Sequence, residues 1–232
     1  MKNLLPGLVL TFFAAVAAAQ NPGAPVMETW RDHVEHGLVP YHQLTVDDFA
    51  VNDKAHPDNP FWVKPFVNWR SKFNLHAGGL FYAYVSEWKV FHGLDKNGTS
   101  RKSSFHDMKE QLPFAQALLD INELHARELA SLMPGDLPRG SGQTAEAAQR
   151  DLEGQLKVFC AKKYDEIQAE SDAFVKETNG GQNKKKVREL AAAITKRLDA
   201  IPVTNPFLPA ASSAPVTSPV PTATPPASAS PR

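Results

Sequence analysis

A stretch of twenty residues, Pro113 to Leu132, reading PFAQALLDINELHARELASL, constrains this chain more than any other. Leu118, Ile121, His125, Leu129 and Leu132 recur at spacings of three and four, the period of a helix with one face turned to a core. Proline at a first helical position forfeits no hydrogen bond, because the N–H it lacks would have no partner there. The spacing therefore predicts a helix that starts at Pro113 and closes at Pro134-Gly135.

Two more helices follow. Thr144 to Lys176 sets Leu152, Leu156, Phe159, Cys160, Lys163, Ile167 and Phe174 on one side. Asn179-Gly180-Gly181 breaks it, as glycines just past a helix end do. Lys184 to Ile201 repeats Val187, Leu190, Ala191, Ile194, Leu198 and Ile201 at helical spacing, and Pro202 ends it. The MPGDLPRGSGQ segment between the first two helices reads as a polar loop.

The part before the helices, Val26 to about Phe105, holds all four tryptophans and reads as strand and loop. Leu80 to Phe91 alternates with Leu80, Tyr82, Tyr84, Trp88 and Val90 on one side and Phe81, Ala83, Val85 and Phe91 on the other, which predicts a strand covered on both faces. Lys72 to His76 would pair with it through Ala77-Gly78-Gly79. Leu44 to Phe49 is a shorter candidate strand. The fold expected is α+β: a small antiparallel, Trp-rich β portion packed on about three helices.

The ends differ from this middle. Residues 1–19 carry Lys2, an apolar run through Phe13 and small residues at Ala17 and Ala19, the layout of a cleaved secretory signal. The run is too short to span a bilayer, so no transmembrane segment is expected once it is removed. Residues 202–232 hold nine of the chain's 19 prolines among Ala, Ser, Thr and Val, a composition that cannot offset chain entropy by burial and predicts a disordered tail. Residues 20–43 would be an N-terminal extension and 44–201 one domain. The expected product is exported to the periplasm or cell exterior.

Charge excludes some partners. Twenty-five basic and 25 acidic side chains cancel, so nothing selects nucleic acid, which needs a basic excess. The lone Cys160 allows no internal disulfide and suits a buried small hydrophobe. The run Lys184-Lys185-Lys186 is too short to argue for a polyanion.

Chemistry-bearing motifs are sparse. No Gly-x-Ser-x-Gly elbow or phosphate-cradling glycine loop occurs. His33 and His36 stand three apart, a spacing that can share a metal ion on a helix, yet no third ligand follows at a recognisable interval, and a solvated face is the expectation there. His125 falls on the apolar face of the first long helix and reads as a core histidine held by one hydrogen bond. His42, His56, His76, His92 and His106 show no pattern. Asp47-Asp48 and Asp165-Glu166 read as surface charge, and Asn97-Gly98-Thr99 fits a glycosylation acceptor.

Asp120-Ile121-Asn122-Glu123-Leu124-His125-Ala126-Arg127 resembles the second half of a signature, H-E-x-x-H-F-D-I-x-E-L-x-A-R, of an uncharacterised bacterial family of exported zinc-dependent peptidases. Two other stretches are similar to it. Leu44-Thr45-Val46-Asp47-Asp48-Phe49 is similar to the family's L-T-W-x-D-F, with Val46 replacing the tryptophan, and Phe174 to Gly181 resembles its Y-D-x-E-T-N-H-G, with Val175 in place of the aspartate. The resemblance implies a zincin-like fold and a zinc ion held by histidines, with a glutamate as general base. Here the two histidines fall on Phe114 and Leu118, the glutamate on Ala115, the later histidine on Gly180, and a following Gln and Trp on Val187 and Leu190.

Phe114, Ala115, Leu118 and Gly180 cannot coordinate a cation or move a proton. The implied reading is a degenerate site whose helix has become core, with no catalytic residue, no cofactor and no metal. The function expected is a non-catalytic binding or structural role with an unknown protein or cell-envelope partner. The alternative is a metal-dependent hydrolase with relocated ligands, for which His33, His36 and His125 are the candidates.

Overall fold

The structure is a computed structural model and describes residues 30–56 and 58–201. The expected signal segment and the Pro-rich tail lie outside the described residues. In chain order the elements are α1 (Trp30–Glu35), β1 (Leu38–Pro40), β2 (Ala50–Val51), β3 (Phe61–Trp62), β4 (Pro65–Gly78), β5 (Leu80–Asp95), β6 (Ser100–Arg101), α2 (Met108–Ala130), β7 (Arg139–Gly142), α3 (Ala145–Glu177) and α4 (Lys184–Asp199). The architecture is α+β, with about half the residues helical.

Long strands β4 and β5 form one antiparallel hairpin, paired from Pro65 opposite Leu94 to Gly78 opposite Leu80. Gly79 turns the chain at φ +79°, a conformation that glycine adopts without steric cost. The hairpin thus extends well beyond the Lys72–His76 segment expected. On the far side of β5, β1 pairs with its last residues and β7 with its first. Residues 30–43 therefore supply α1 and β1, which pack on this sheet. A smaller sheet, in the order β2-β6-β3, lies beside it.

The covered faces of β5 differ from the expectation. Phe73 sits opposite Val85 but Lys72 opposite Glu87, so Ser86 is an extra residue in β5. A bulge of this kind shifts the alternation by one. Before it, Ala83 and Val85 face inward; after it, Trp88 and Val90 do. Trp88 and Val90 thus lie opposite in sense to Leu80, Tyr82 and Tyr84, which stay exposed.

Helix α2 begins at Met108, five residues before Pro113. Met108, Leu112, Ala115 and Leu119 make a second apolar stripe that packs on Leu44, Phe49, Val63 and Leu94. Burial of Met108 together with Leu112 in this cluster, at about 1.5–3 kcal/mol for each fully buried side chain, offsets the cost of about 3 kcal/mol that Pro113 carries inside the helix. Every residue from Phe114 to Arg127 is buried. The helix is enclosed by the sheet, α3 and α4, not faced on one side only.

Two loop readings are also corrected. The Arg139–Gly142 segment is a strand, because Gly140 and Gly142 let it lie against the start of α3: a Cβ on Gly140 would stand 2.2 Å from the Ala148 carbonyl oxygen. Leu44–Phe49 is not a strand but a 3-10 turn over Val46–Asp48, with Leu44 and Phe49 buried on either side. Thr144 caps α3 by accepting from the Ala147 N–H, and Asn183 caps α4 in the same way on Lys186. Asn179, Gly180 and Gly181 all take positive φ between these two helices.

Candidate functional site

Helix α2 presents an apolar side and a polar side. On the first, Phe114, Ala117, Leu118 and Ile121 pack with Phe174, Val175, Val187 and Ile194, and Leu190 joins them. Phe114 stacks on Phe174 with ring centroids 5.4 Å apart. The turn after α3 closes over this group: Gly180 N–H donates to Val175 O at 2.8 Å, and a Cβ on Gly181 would lie 2.8 Å from the Phe114 ring. An open cleft of about 260 Å³ is left beside Phe114, between Pro113, Gly181, Val187 and the stems of Glu110 and Lys184. Ala115 points away, into the cluster around Leu44.

The polar side is a hydrogen-bonded network in which Asp120, Glu123 and Arg127 are 5%, 2% and 8% exposed. Asp120 Oδ1 accepts from the Tyr41 hydroxyl at 2.8 Å and from Gln116 Nε2 at 2.7 Å. Gln116 Oε1 in turn accepts from the Leu44 N–H at 2.6 Å. Glu123 Oε1 accepts from Arg127 Nε at 2.7 Å, and its other oxygen lies 2.5 Å from His92 Nδ1. A carboxylate acceptor requires that Nδ1 carry the hydrogen. The Arg127 guanidinium sits over the Tyr41 ring at 5.6 Å and reaches the carbonyls of Leu198 and Ile201 at the end of α4.

Burial pushes the Asp120 carboxyl up from its ordinary value, against the pull of its bonds from Gln116 and Tyr41. Burial, with the adjacent Asp120 charge, also pushes the Tyr41 hydroxyl above its usual range. One helix thus ties the N-terminal segment, the hairpin and the last helix together through largely buried polar side chains. His92 can take part because the Ser86 bulge turns it inward.

His125 lies on α2 with Nε2 2.8 Å from Glu170 on α3, as a core histidine held by a hydrogen bond would. Glu170 is also bound by Arg197 of α4 through both guanidinium nitrogens. The His125 bond, outweighing the opposing effect of burial, and then the Arg197 bond hold the Glu170 carboxyl down at about 2.

His33 and His36 are not brought to this site. They belong to α1, on the opposite face of the sheet. The His33 ring is buried, stacked on Phe91 at 4.5 Å, where the sequence suggested a solvated face; Phe66 and Phe91 point outward there and need a cover. His36 is exposed, with Nδ1 2.7 Å from Asp32 O. Asp48 is likewise buried, not surface charge: burial opposes its ionisation, but bonds from Thr45 and His42 win and hold its carboxyl below the usual range. Among the described residues no three His, Cys, Asp or Glu side chains are grouped so as to hold a metal ion.

Phe114, Leu118 and Gly180, where the resemblance would put zinc ligands, offer carbon and backbone only, so the residues present do not fit that ion. The members of the polar network that sequence reasoning passed over are Tyr41, His92 and Gln116. Asp120, Glu123 and Arg127 were visible as a motif, but the partners Tyr41 and His92 come from 79 and 31 residues away. Only the fold reveals those pairings.

Fold and geometry define an α+β protein whose central helix is buried all round and polar on one side. Comparison of the chain with family models, curated proteins and solved structures finds no match.

Proposed function

We propose that this chain is an exported, non-catalytic protein with a binding or structural role in the periplasm or at the cell exterior, built on a peptidase-like helix that has lost its zinc site. The observation that carries this reading is the grouping of four aligned positions. Phe114 and Leu118 stand where the signature has histidines, and they share one buried cluster with Val187 and Leu190, where the family has Gln and Trp. Gly180 lies in the turn packed against it. Positions scattered over some seventy residues meet at one place, and apolar side chains line it.

The retained half of the signature supports the same reading. Asp120, Glu123 and Arg127 perform no chemistry from a water-free interior; they join α2 to its neighbours. Elemental analysis of the purified protein, with a thermal shift on adding chelator, tests the proposal. No stoichiometric zinc and no shift are expected. Chelator-sensitive peptide cleavage, or zinc bound in proportion to protein, would overturn it. Loss of such an activity on replacing His33, His36 and His125 with alanine would establish the relocated-ligand hydrolase instead.

A further inference from the structure

The outer half of the β4–β5 hairpin is covered on one edge only. There β5 is the middle strand, with β7 on one side and β4 on the other. Helix α3 lies over β7 and β5, burying Ala83 and Val85 under Ala148, Leu152 and Leu156. Strand β4 pairs with no other strand among the described residues. Near its start the free edge is closed by the Tyr164 hydroxyl, which donates to Val67 O at 2.8 Å. From Arg70 to Gly78 no strand lies against it.

Two features of this edge specify a partner. By register, Phe73 and Leu75 lie on the same face as Val85 and Ala83, but beyond the cover of α3, and they are 36% and 44% exposed. They form an apolar ledge beside the open edge. On the other face β4 carries Arg70, Lys72 and His76, and the whole strand contains no carboxylate. Glu87 on β5 is shared by Lys72 at 2.6 Å and Lys89 at 2.8 Å, so this face, which also bears the exposed Leu80, Tyr82 and Tyr84, carries a net positive charge around Lys72 and Lys89.

We infer that the Arg70–Gly78 edge takes up an extended peptide segment of a partner protein, one that alternates acidic and apolar residues. Main-chain bonds to the edge supply affinity in this mode, and alternate side chains supply specificity. The apolar side chains of the added strand lie beside Phe73 and Leu75, and its carboxylates beside Lys72 and Arg70. The open stretch, at about 3.3 Å per residue, fits a segment of about eight residues.

A second copy of the chain is the poorer occupant. Antiparallel pairing of two β4 strands centred on Ser71 sets Arg70 opposite Lys72. Centring on Lys72 sets Lys72 opposite itself. Like charges placed directly opposite destabilise a strand pair, and lysine on an edge is a common device against self-association. This inference does not rest on the zinc-site reading and uses a different surface.

The test uses the full chain and a fluorescent eight-residue peptide of alternating glutamate and valine, read by anisotropy, with hydrogen exchange of the β4 amides. Saturable binding and slowed exchange over residues 70–78 are expected. The double variant F73E/L75E should keep its fold, because both side chains are exposed, and should weaken binding by about tenfold or more, as loss of partly buried apolar contact with added charge repulsion requires. N-methylation of alternate peptide residues should abolish binding. Absence of binding overturns the proposal, as does equal binding of a lysine–valine peptide or of the N-methylated one. A dimer that F73E/L75E dissociates would give the edge to a second copy. Binding of a polyanionic polysaccharide or single-stranded oligonucleotide in place of the peptide would assign the surface to polymer recognition instead.

Discussion

Replacing Arg127 with methionine tests how much the polar side of α2 contributes. Arg127 and Glu123 face each other one helical turn apart, 2.7 Å between Nε and Oε1, with both side chains almost wholly out of water. Removing one partner of such a pair strands the other, at about 3–5 kcal/mol. The contacts of Arg127 to Leu198 O and Ile201 O, at 3.4 and 3.5 Å, are long and add little. Glu123 keeps its bond to His92, which moderates the loss. The expected cost is therefore about 3 kcal/mol, the low end of that range.

Urea denaturation followed by tryptophan fluorescence measures it. In a domain of this size the melting temperature would fall by about 2–4 °C per kcal/mol. Glu123→Gln alone should also destabilise, because it leaves a buried guanidinium without its anion. Combined, the two substitutions should cost less than the sum of the singles by about 1.5–3 kcal/mol, the coupling expected of residues in one network. Additivity within about 0.5 kcal/mol, or a loss below about 1 kcal/mol for Arg127→Met, would refute the account of this network as a structural tie.

On the apolar side, Phe114→Ala should cost about 3–5 kcal/mol in the same assay, because the ring is buried and stacked on Phe174. Glu170 has its carboxyl lowered from 4.5 to about 2 in the fold. The stability it contributes is thus complete above pH 4.5 and is lost as the pH falls toward 2. Glu170→Gln should flatten that part of a plot of unfolding free energy against pH. The Cys160 thiol is buried, and burial pushes it up to about 12. It should resist a thiol-disulfide reagent at pH 8 in the native protein and react at once in denaturant.

Helical periodicity was the most legible part of this sequence. α3 begins and ends within a residue of the expected bounds, and α4 within two, because apolar residues at three and four spacing face one core and Asn179-Gly180-Gly181 can continue no helix. Features that depend on a neighbour were not legible. The Ser86 bulge leaves no mark in a run of alternating residues, yet it decides which way Trp88 and His92 point. Strand β7 carries two glycines that read as loop until α3 is seen to need the room. Met108 looks like an isolated residue before a proline until Leu44 and Leu94 are seen to meet it.

The two sides of α2 also differ in how they tolerate change, and this bears on the proposed descent. A ligand histidine facing an open site can be exchanged for phenylalanine in one step, since apolar surface placed in a cleft lined by Val187 and Phe174 is stabilising on its own. Arg127 or Glu123 cannot be exchanged singly, because each removal leaves a buried charge behind. A helix that once held zinc and no longer needs it would lose its ligands first and keep Asp120, Glu123 and Arg127 longest. On the proposed descent the sequence has that composition, with phenylalanine and leucine at the positions the resemblance gives to ligands and the ionic residues intact.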